Sequence, residues 1–153
     1  MSPDARRLAA PPEADDDDPR VTGLMTTRIL GITADADLMS ALRLMAERGV
    51  QHLPVFDGPR CCGLLFEIDI VEHLAVGEPA QRSTGPIAHL VRPAAAVTTA
   101  ARRSDVARAM QETRLDAVLV TEHGRLAGIV TTTDVIASLA SPAAQHPSGG
   151  DTS

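Results

Sequence analysis

The stretch "GIVTTTD", residues 128–134, decides the fold, because an earlier part of the chain already contains a version of it. Sixty-five positions before it, residues 63–69 read "GLLFEID". Both stretches keep a glycine, an aliphatic pair and a final aspartate, whereas Thr131 corresponds to Phe66. Two hypotheses follow. Either a structural strand-to-helix turn is used twice, or a binding motif is kept in one copy and lost in the other.

The same offset of 65 residues aligns the two halves of the chain without a gap. Matched pairs are Thr33 and Thr98, Arg43 and Arg108, Met45 and Met110, Val55 and Val120, and Leu74 and Leu139. Two copies in one register predict duplicated units related by an approximate two-fold axis. Because a unit of about 55 residues has a marginal core, we expect the two units to pack through their sheets.

Each half begins with the same predicted elements. A first strand, near residues 29–33 or 94–98, precedes an amphipathic helix. In the first helix the apolar residues have the spacing i, i+3, i+4 and i+7 of a single helical face: Leu38, Ala41, Leu42 and Met45. Gly49 is a typical residue to end this helix, whereas its counterpart Arg114 gives a weaker stop signal.

Two strands joined by a turn follow in each half, and a last helix opens at Asp69 or Asp134. The order β-α-β-β-α, run twice, predicts an α+β fold with repeats at residues 21–80 and 81–140. Residues 1–20 combine prolines with an acidic run and are predicted to be a disordered tail, as are residues 141–153.

Composition excludes several classes of partner. The chain has two Phe, no Tyr and no Trp, so stacking of single-stranded bases is unavailable. A net charge of −6 opposes binding to a phosphate backbone, and no apolar run approaches the length of a membrane span. We therefore predict a cytoplasmic protein that binds neither nucleic acid nor membrane.

Catalytic and metal motifs are also missing from the sequence. Cys61 and Cys62 are adjacent, which disfavours a disulfide and falls short of a zinc site, so they are interpreted as small apolar strand residues. No nucleophile–base pair or glycine-rich phosphate loop is found. The sequence predicts no enzyme activity and no metal site.

Two interpretations fit the second copy of the turn. Thr131 followed three residues later by Asp134 is a capping-box pattern, in which both side chains bind backbone N–H groups at a helix start. The same geometry suits a ligand, because a carboxylate there can accept hydrogen bonds from both hydroxyls of a ribose. The two interpretations do not exclude each other.

The run "GVQHLPVFD" leading to "GLLFEIDIVEHL", with a second copy ending "GIVTTTDVIASL", resembles a pair of CBS domains, a Bateman module, over residues 21–140. The resemblance implies a regulatory module that binds an adenosine-containing ligand, namely AMP, ADP, ATP or S-adenosylmethionine, in an inter-repeat cleft. It also implies a homodimer that regulates an unidentified protein partner and has no catalysis of its own. The alternative is a ligand-free dimerisation or interaction scaffold.

The family pattern, carried over residue by residue, makes Asp134 the expected ribose ligand. The predicted ligand-binding residues are Leu30, Val50, Gln51, His52, Ile129, Thr131, Thr133 and Asp134. The resemblance implies that Val50 and Ile129 sandwich the purine, and that backbone groups near His52 contact the adenine edge. A second cleft at Phe66 and Asp69 is predicted to be degenerate, because the phenyl ring fills the ribose volume.

One position departs from the family pattern. Relatives that bind phosphorylated nucleotides often have a basic residue near the position of Asp116, where an acid would repel phosphate. Arg114, two residues earlier and predicted on the same strand face, is the candidate replacement. Selectivity between AMP and an uncharged adenosyl group therefore stays open.

Overall fold

The computed structural model describes residues 17–76 and 87–140, which divide into two compact units. Within the described residues, the first unit comprises 28–76 and 87–94, and the second comprises 17–27 and 95–140. In these described ranges, each unit holds one three-stranded sheet and two α-helices that contribute to the repeat. The predicted α+β fold of two β-α-β-β-α repeats is therefore confirmed.

The first unit contains a mixed sheet of order β1-β2-β3, in which β1 is parallel to β2 and β2 is antiparallel to β3. A 3-10 turn at Ile87–Leu90 lies near its end. The elements are β1 Ile32–Thr33, α1 Leu38–Arg48, β2 His52–Asp57, β3 Arg60–Phe66 and α2 Glu67–Ala75.

The second unit repeats this arrangement with sheet order β4-β5-β6 and the same strand directions. A 3-10 turn at Val21–Gly23 is contributed by the N-terminal segment. The elements are β4 Ala96–Thr98, α3 Arg103–Thr113, β5 Ala117–Glu122, β6 Arg125–Thr131 and α4 Thr132–Ala140.

The amphipathic stripe of α1 builds the core of the first unit. Leu38, Ala41 and Met45 are buried, whereas Leu42 is half-buried at the edge of the cluster. They pack with buried strand residues such as Leu53, each such side chain contributing about 1.5–3 kcal/mol through burial. Asp37 caps the start of the helix, where its carboxylate accepts from Ser40 N–H at 2.7 Å, and Gly49 caps its end with φ of 66°.

The equivalent helix α3 ends in the same left-handed conformation, although its residue there is Arg114, with φ of 59°. Arg114 therefore lies outside β5, which begins at Ala117. The prediction that Arg114 shares a strand face with Asp116 is wrong, because neither residue belongs to the strand and strand alternation does not apply to them.

The last helix of each unit begins two residues earlier than predicted, at Glu67 and Thr132 instead of Asp69 and Asp134. The physical reason is that an acidic residue three positions after the cap already belongs to the first helical turn. From there its side chain can accept a hydrogen bond from the backbone N–H of the cap residue. In the second unit this bond is visible, since Thr131 N–H donates to Asp134.

The N-terminal segment packs with the second unit. Asp18 accepts hydrogen bonds from Ser104 N–H at 2.8 Å and Ser104 Oγ at 2.6 Å, and the buried Val21 donates its N–H to Ala101. The predicted tails lie largely outside the described residues, at 1–16 and 141–153. Residues 17–20 of the first tail are described, and they are attached to the start of α3.

Candidate functional site

The strand-to-helix junction of the second unit, residues 131–134, is called the Asp134 turn. β6 carries the chain to Thr131, and α4 begins at the next residue. A hydrogen bond attaches the turn to the neighbouring loop: Thr132 N–H donates to the carbonyl oxygen of Asp116 at 3.0 Å. Sheet pairing and this bond place the Asp134 side chain at the end of the sheet.

Two hydrogen bonds hold the Asp134 carboxylate, and a third joins the backbone of Asp134 to the same threonine. Its Oδ2 accepts from Thr131 N–H at 2.9 Å and from Thr131 Oγ1 at 3.1 Å, while Asp134 N–H donates to Thr131 Oγ1 at 3.4 Å. This is the reciprocal capping box that the sequence indicates. Among residues 17–76 and 87–140, no hydrogen bond is made to Asp134 Oδ1.

The chemistry of this arrangement suits a neutral donor more than an anion. A half-buried carboxylate with one oxygen engaged by its own turn keeps acceptor capacity on the other oxygen. The acidic Asp116, exposed at the same junction, adds a second negative charge. A phosphate placed here would be repelled, whereas hydroxyl groups of a sugar are suitable donors.

The first-unit counterpart, residues 66–69, is called the Asp69 turn and is arranged differently. Phe66 is only 5% exposed, and its ring contacts His52 edge-to-face with 5.2 Å between centroids. Asp69 binds Arg92, with Nε to Oδ2 at 2.7 Å and Nη2 to Oδ1 at 2.7 Å. The aspartate kept in both copies therefore has different partners in each.

The structure places the eight predicted ligand residues in two groups of four, one in each unit. In the first unit, Leu30 and Val50 pack against the core, Gln51 is exposed, and its carbonyl accepts Glu67 N–H at 3.0 Å. In the second unit, four residues surround the junction of β6 and α4: Ile129, Thr131, Thr133 and Asp134. Ile129 is half-buried and Thr133 is exposed.

A second segment of the chain packs closely against each glycine of the duplicated motif. An added Cβ at Gly63 would lie 2.3 Å from the carbonyl oxygen of Arg92. One at Gly128 would lie 2.7 Å from Met25 Sδ. The backbone also comes close at Gly128, since the carbonyl oxygen of Thr26 would lie 3.0 Å from the added atom.

Sequence reasoning missed Arg92. This residue pairs with Leu64 across an isolated bridge and reaches Asp69, yet no repeat position or spacing marks it. The matching bridge of the second unit joins Thr26 to Ile129, so Arg92 corresponds to Thr26, and this substitution looks like ordinary surface variation.

Other chemistry is limited within the described part of the chain. There, no three His, Cys, Asp or Glu residues converge to hold a metal ion. None of its helices has the length and apolar character required to cross a membrane. Cys61 and Cys62 are both free in β3, and burial raises the pKa of the Cys61 thiol, which lowers its reactivity.

Solved structures with the same fold come from several organisms. An uncharacterized conserved protein of Pyrococcus horikoshii is 25% identical, with a TM-score of 0.70 over 78% of this chain and 91% of that one. A hemolysin-like protein containing a CBS domain from Oenococcus oeni is 22% identical, with a TM-score of 0.71, and the match covers 83% and 94% of the two chains.

A third similar structure is CBSX2 in complex with AMP. It is 21% identical, with a TM-score of 0.69, and the match covers 79% of this chain and 96% of that one. No curated protein gave a significant match by sequence. The model of the CBS domain family matches residues 21–76 and again residues 87–141. With two matches that take in both duplicated halves, the chain belongs to the CBS domain family and carries a tandem CBS pair.

Proposed function

We propose that this tandem CBS pair is a regulatory module that binds an adenosine-containing ligand through the Asp134 turn and catalyses nothing itself. The observation that carries the proposal is the locked carboxylate of Asp134, which has one oxygen engaged by Thr131 and the other with remaining acceptor capacity. Such a group is preorganised to accept hydrogen bonds from a ribose diol. The similar fold of CBSX2, solved in complex with AMP, supports the ligand class.

The negative charge at the Asp134 turn predicts an order of affinity among the four ligands. Because Asp134 and Asp116 both place negative charge at the turn, each added phosphate near it costs binding free energy. We therefore expect S-adenosylmethionine and AMP to bind more tightly than ADP and ATP. The resemblance predicts that the inter-repeat cleft is completed by first-repeat residues, namely Leu30, Val50, Gln51 and His52.

Calorimetric titration with these four ligands tests the proposal. Replacing Asp134 by Asn removes the charge behind the ribose hydrogen bonds, worth about 1.5–3 kcal/mol, so Kd should rise about 10- to 150-fold. Asp105→Asn is the matched control, since Asp105 Oδ2 also accepts the N–H of the residue three positions earlier, at 2.9 Å. The control should bind like wild type. Equal losses in both variants, or no binding of any ligand at millimolar concentration, would contradict the proposal.

We also propose that the chain forms a homodimer through apolar helix faces, with the cytoplasm as its predicted location and an unidentified protein as its regulated partner. In the second unit, Ile136 and Leu139 of α4 are each 58% exposed; in the first, Ile68 of α2 is 58% exposed. Exposed apolar residues at one-turn spacing on a helix are typical of an association surface. The same faces would serve a ligand-free scaffold.

Sedimentation analysis of the full chain tests the dimer. Ile136→Lys places a charge in the proposed contact and should yield a monomer at concentrations where wild type is dimeric. Met39→Lys is the control, because Met39 is also partly exposed, at 39%, but belongs to α1. A wild-type monomer would refute the dimer. Dimerisation that no nucleotide alters, together with no calorimetric binding, would favour the scaffold.

A further inference from the structure

Both oxygens of the Asp69 carboxylate are engaged by a cation of the same unit. Arg92 donates from Nε to Oδ2 and from Nη2 to Oδ1, both at 2.7 Å, which is the bidentate geometry of a strong ion pair. The Asp69 side chain is 11% exposed, whereas that of Arg92 is 50% exposed. The guanidinium therefore shields most of the carboxylate and itself remains at the surface.

Arg92 is held in this position by its own backbone. Its N–H donates to the carbonyl of Leu64 at 2.8 Å, and its carbonyl accepts Leu64 N–H at 2.9 Å. The close approach at Gly63 lets the two segments meet. The guanidinium carbon also lies 5.7 Å from the centroid of the Phe66 ring, within cation–π range. An ion pair anchored in this way loses little chain freedom on forming.

Arg92 keeps its positive charge. The hydrogen bond with Asp69 raises the pKa of Arg92, and the nearby charges of Asp69 and Glu72 act in the same direction. The guanidinium is therefore protonated at every pH at which the protein would be studied.

In the part of the chain that the structure describes, no cation binds the Asp134 carboxylate. The backbone bridge that joins Arg92 to Leu64 in the first unit joins Thr26 to Ile129 in the second, so the exposed Thr26 takes the position that corresponds to Arg92. Thr131 likewise replaces Phe66, and its hydroxyl binds Asp134 Oδ2. Within residues 17–76 and 87–140, one aspartate of the duplicated motif is thus held by a tethered cation, whereas the other is held by hydrogen bonds of its own turn.

We propose that Arg92 is a built-in occupant of the Asp69 turn, so that each chain has one adenosyl site instead of two. The inference rests on the proposed function at the Asp134 turn. A ribose diol would donate two hydrogen bonds to the carboxylate, and the two N–H groups of Arg92 already take one acceptor position on each oxygen. Phe66 adds a steric barrier beside them.

Stoichiometry measured by calorimetry with S-adenosylmethionine and AMP tests the inference on the full chain. Wild type should bind one ligand per chain. Asp69→Asn weakens the internal ion pair without touching the Asp134 turn, so it should keep one ligand per chain and a Kd within about twofold of wild type. Far-UV circular dichroism verifies that each variant is folded.

A double variant, Phe66→Thr with Arg92→Thr, gives the first unit the residue types of the second. We expect it to gain a second equivalent of ligand, weaker than the first, and we expect Asp134→Asn in that background to weaken the tighter one about 10- to 150-fold. Arg92→Lys, which keeps the charge but loses the two-pronged geometry, should stay at one ligand per chain.

The outcomes separate the two proposals. Two ligands per wild-type chain, or a loss of affinity in Asp69→Asn as large as in Asp134→Asn, would overturn the role of Arg92 and leave the adenosyl function standing. A double variant that stays at one ligand would also refute closure by these side chains. No binding by any variant would refute the proposed function and, with it, the inference.

Discussion

Replacing Gly63 by alanine should destabilise the first unit severely. Gly63 lies in β3 with φ of 152°, a conformation that residues with a side chain rarely adopt. An alanine Cβ would lie 2.3 Å from the Arg92 carbonyl oxygen and 2.9 Å from Val91 Cγ1. Since such contacts below 3.0 Å are essentially never seen, the backbone at Arg92 must retreat by about 0.7 Å.

The expected loss of unfolding free energy follows from the hydrogen bonds that this movement of the backbone weakens. Two backbone hydrogen bonds join Leu64 and Arg92, at 2.8 and 2.9 Å, and each contributes about 0.5–1.5 kcal/mol. The forced φ adds about 1–3 kcal/mol of strain. Together they lower the free energy of unfolding by about 2–6 kcal/mol, a large fraction of the 5–15 kcal/mol of a typical domain.

Urea unfolding followed by far-UV circular dichroism is the appropriate assay, because a chain without Trp or Tyr lacks useful intrinsic fluorescence. Gly23→Ala is the control, since an added Cβ at Gly23 meets nothing within 4 Å, and its stability should stay near that of wild type. Gly128→Ala should fall between the two, because Met25 can rearrange. A free energy of unfolding for Gly63→Ala within about 0.5 kcal/mol of the wild-type value would contradict the expected clash.

Three further predictions concern the core, the helix ends and acid stability. Leu53→Ala, at a fully buried position, should cost about 2–5 kcal/mol in urea unfolding, and a loss below 1 kcal/mol would contradict its place in the core. Arg114 and Gly49 both adopt the left-handed conformation, which glycine tolerates best. Arg114→Gly should therefore stabilise the protein by up to about 1 kcal/mol in urea unfolding, and Gly49→Ala should destabilise it by a similar amount. Effects of the same sign in both variants would refute this. Hydrogen bonds from Ser40 lower the pKa of Asp37 below 3.8, so its contribution holds at neutral pH and disappears as pH falls through that lowered value. The stability difference between wild type and Asp37→Asn should accordingly shrink below about pH 4 in acid titrations, and a constant difference would argue against it.

The sequence predicted the local elements well because their causes are local. The spacing of Leu38, Ala41 and Met45 reflects one face of a helix, and those three side chains are buried as expected. Gly49 was recognisable as a helix end, since glycine is the residue that adopts the left-handed conformation at no steric cost. Arg114 takes the same conformation without that signal, because the surrounding fold imposes it.

At the candidate site, the prediction succeeded where the contacts lie within one turn. The Thr131–Asp134 bonds span three residues, so their pattern is legible in the sequence. The partner of Asp69 lies 23 residues away, and no periodicity connects the two. Asp69 therefore looked like a helix-start residue in sequence, although in the structure it anchors a bidentate ion pair.

Taken by itself, the amino-acid sequence determined the duplication, because both halves repeat the same pattern of residues in one register. It also determined the β-α-β-β-α order and the capping geometry at residue 134, since both are set by neighbours a few positions apart. Tertiary structure alone decided that the segment bearing Asp18 belongs with Ser104, 86 residues away, and that Arg92 covers Asp69. Such pairings depend on which backbone segments come into contact after folding, and residue spacing carries no record of that.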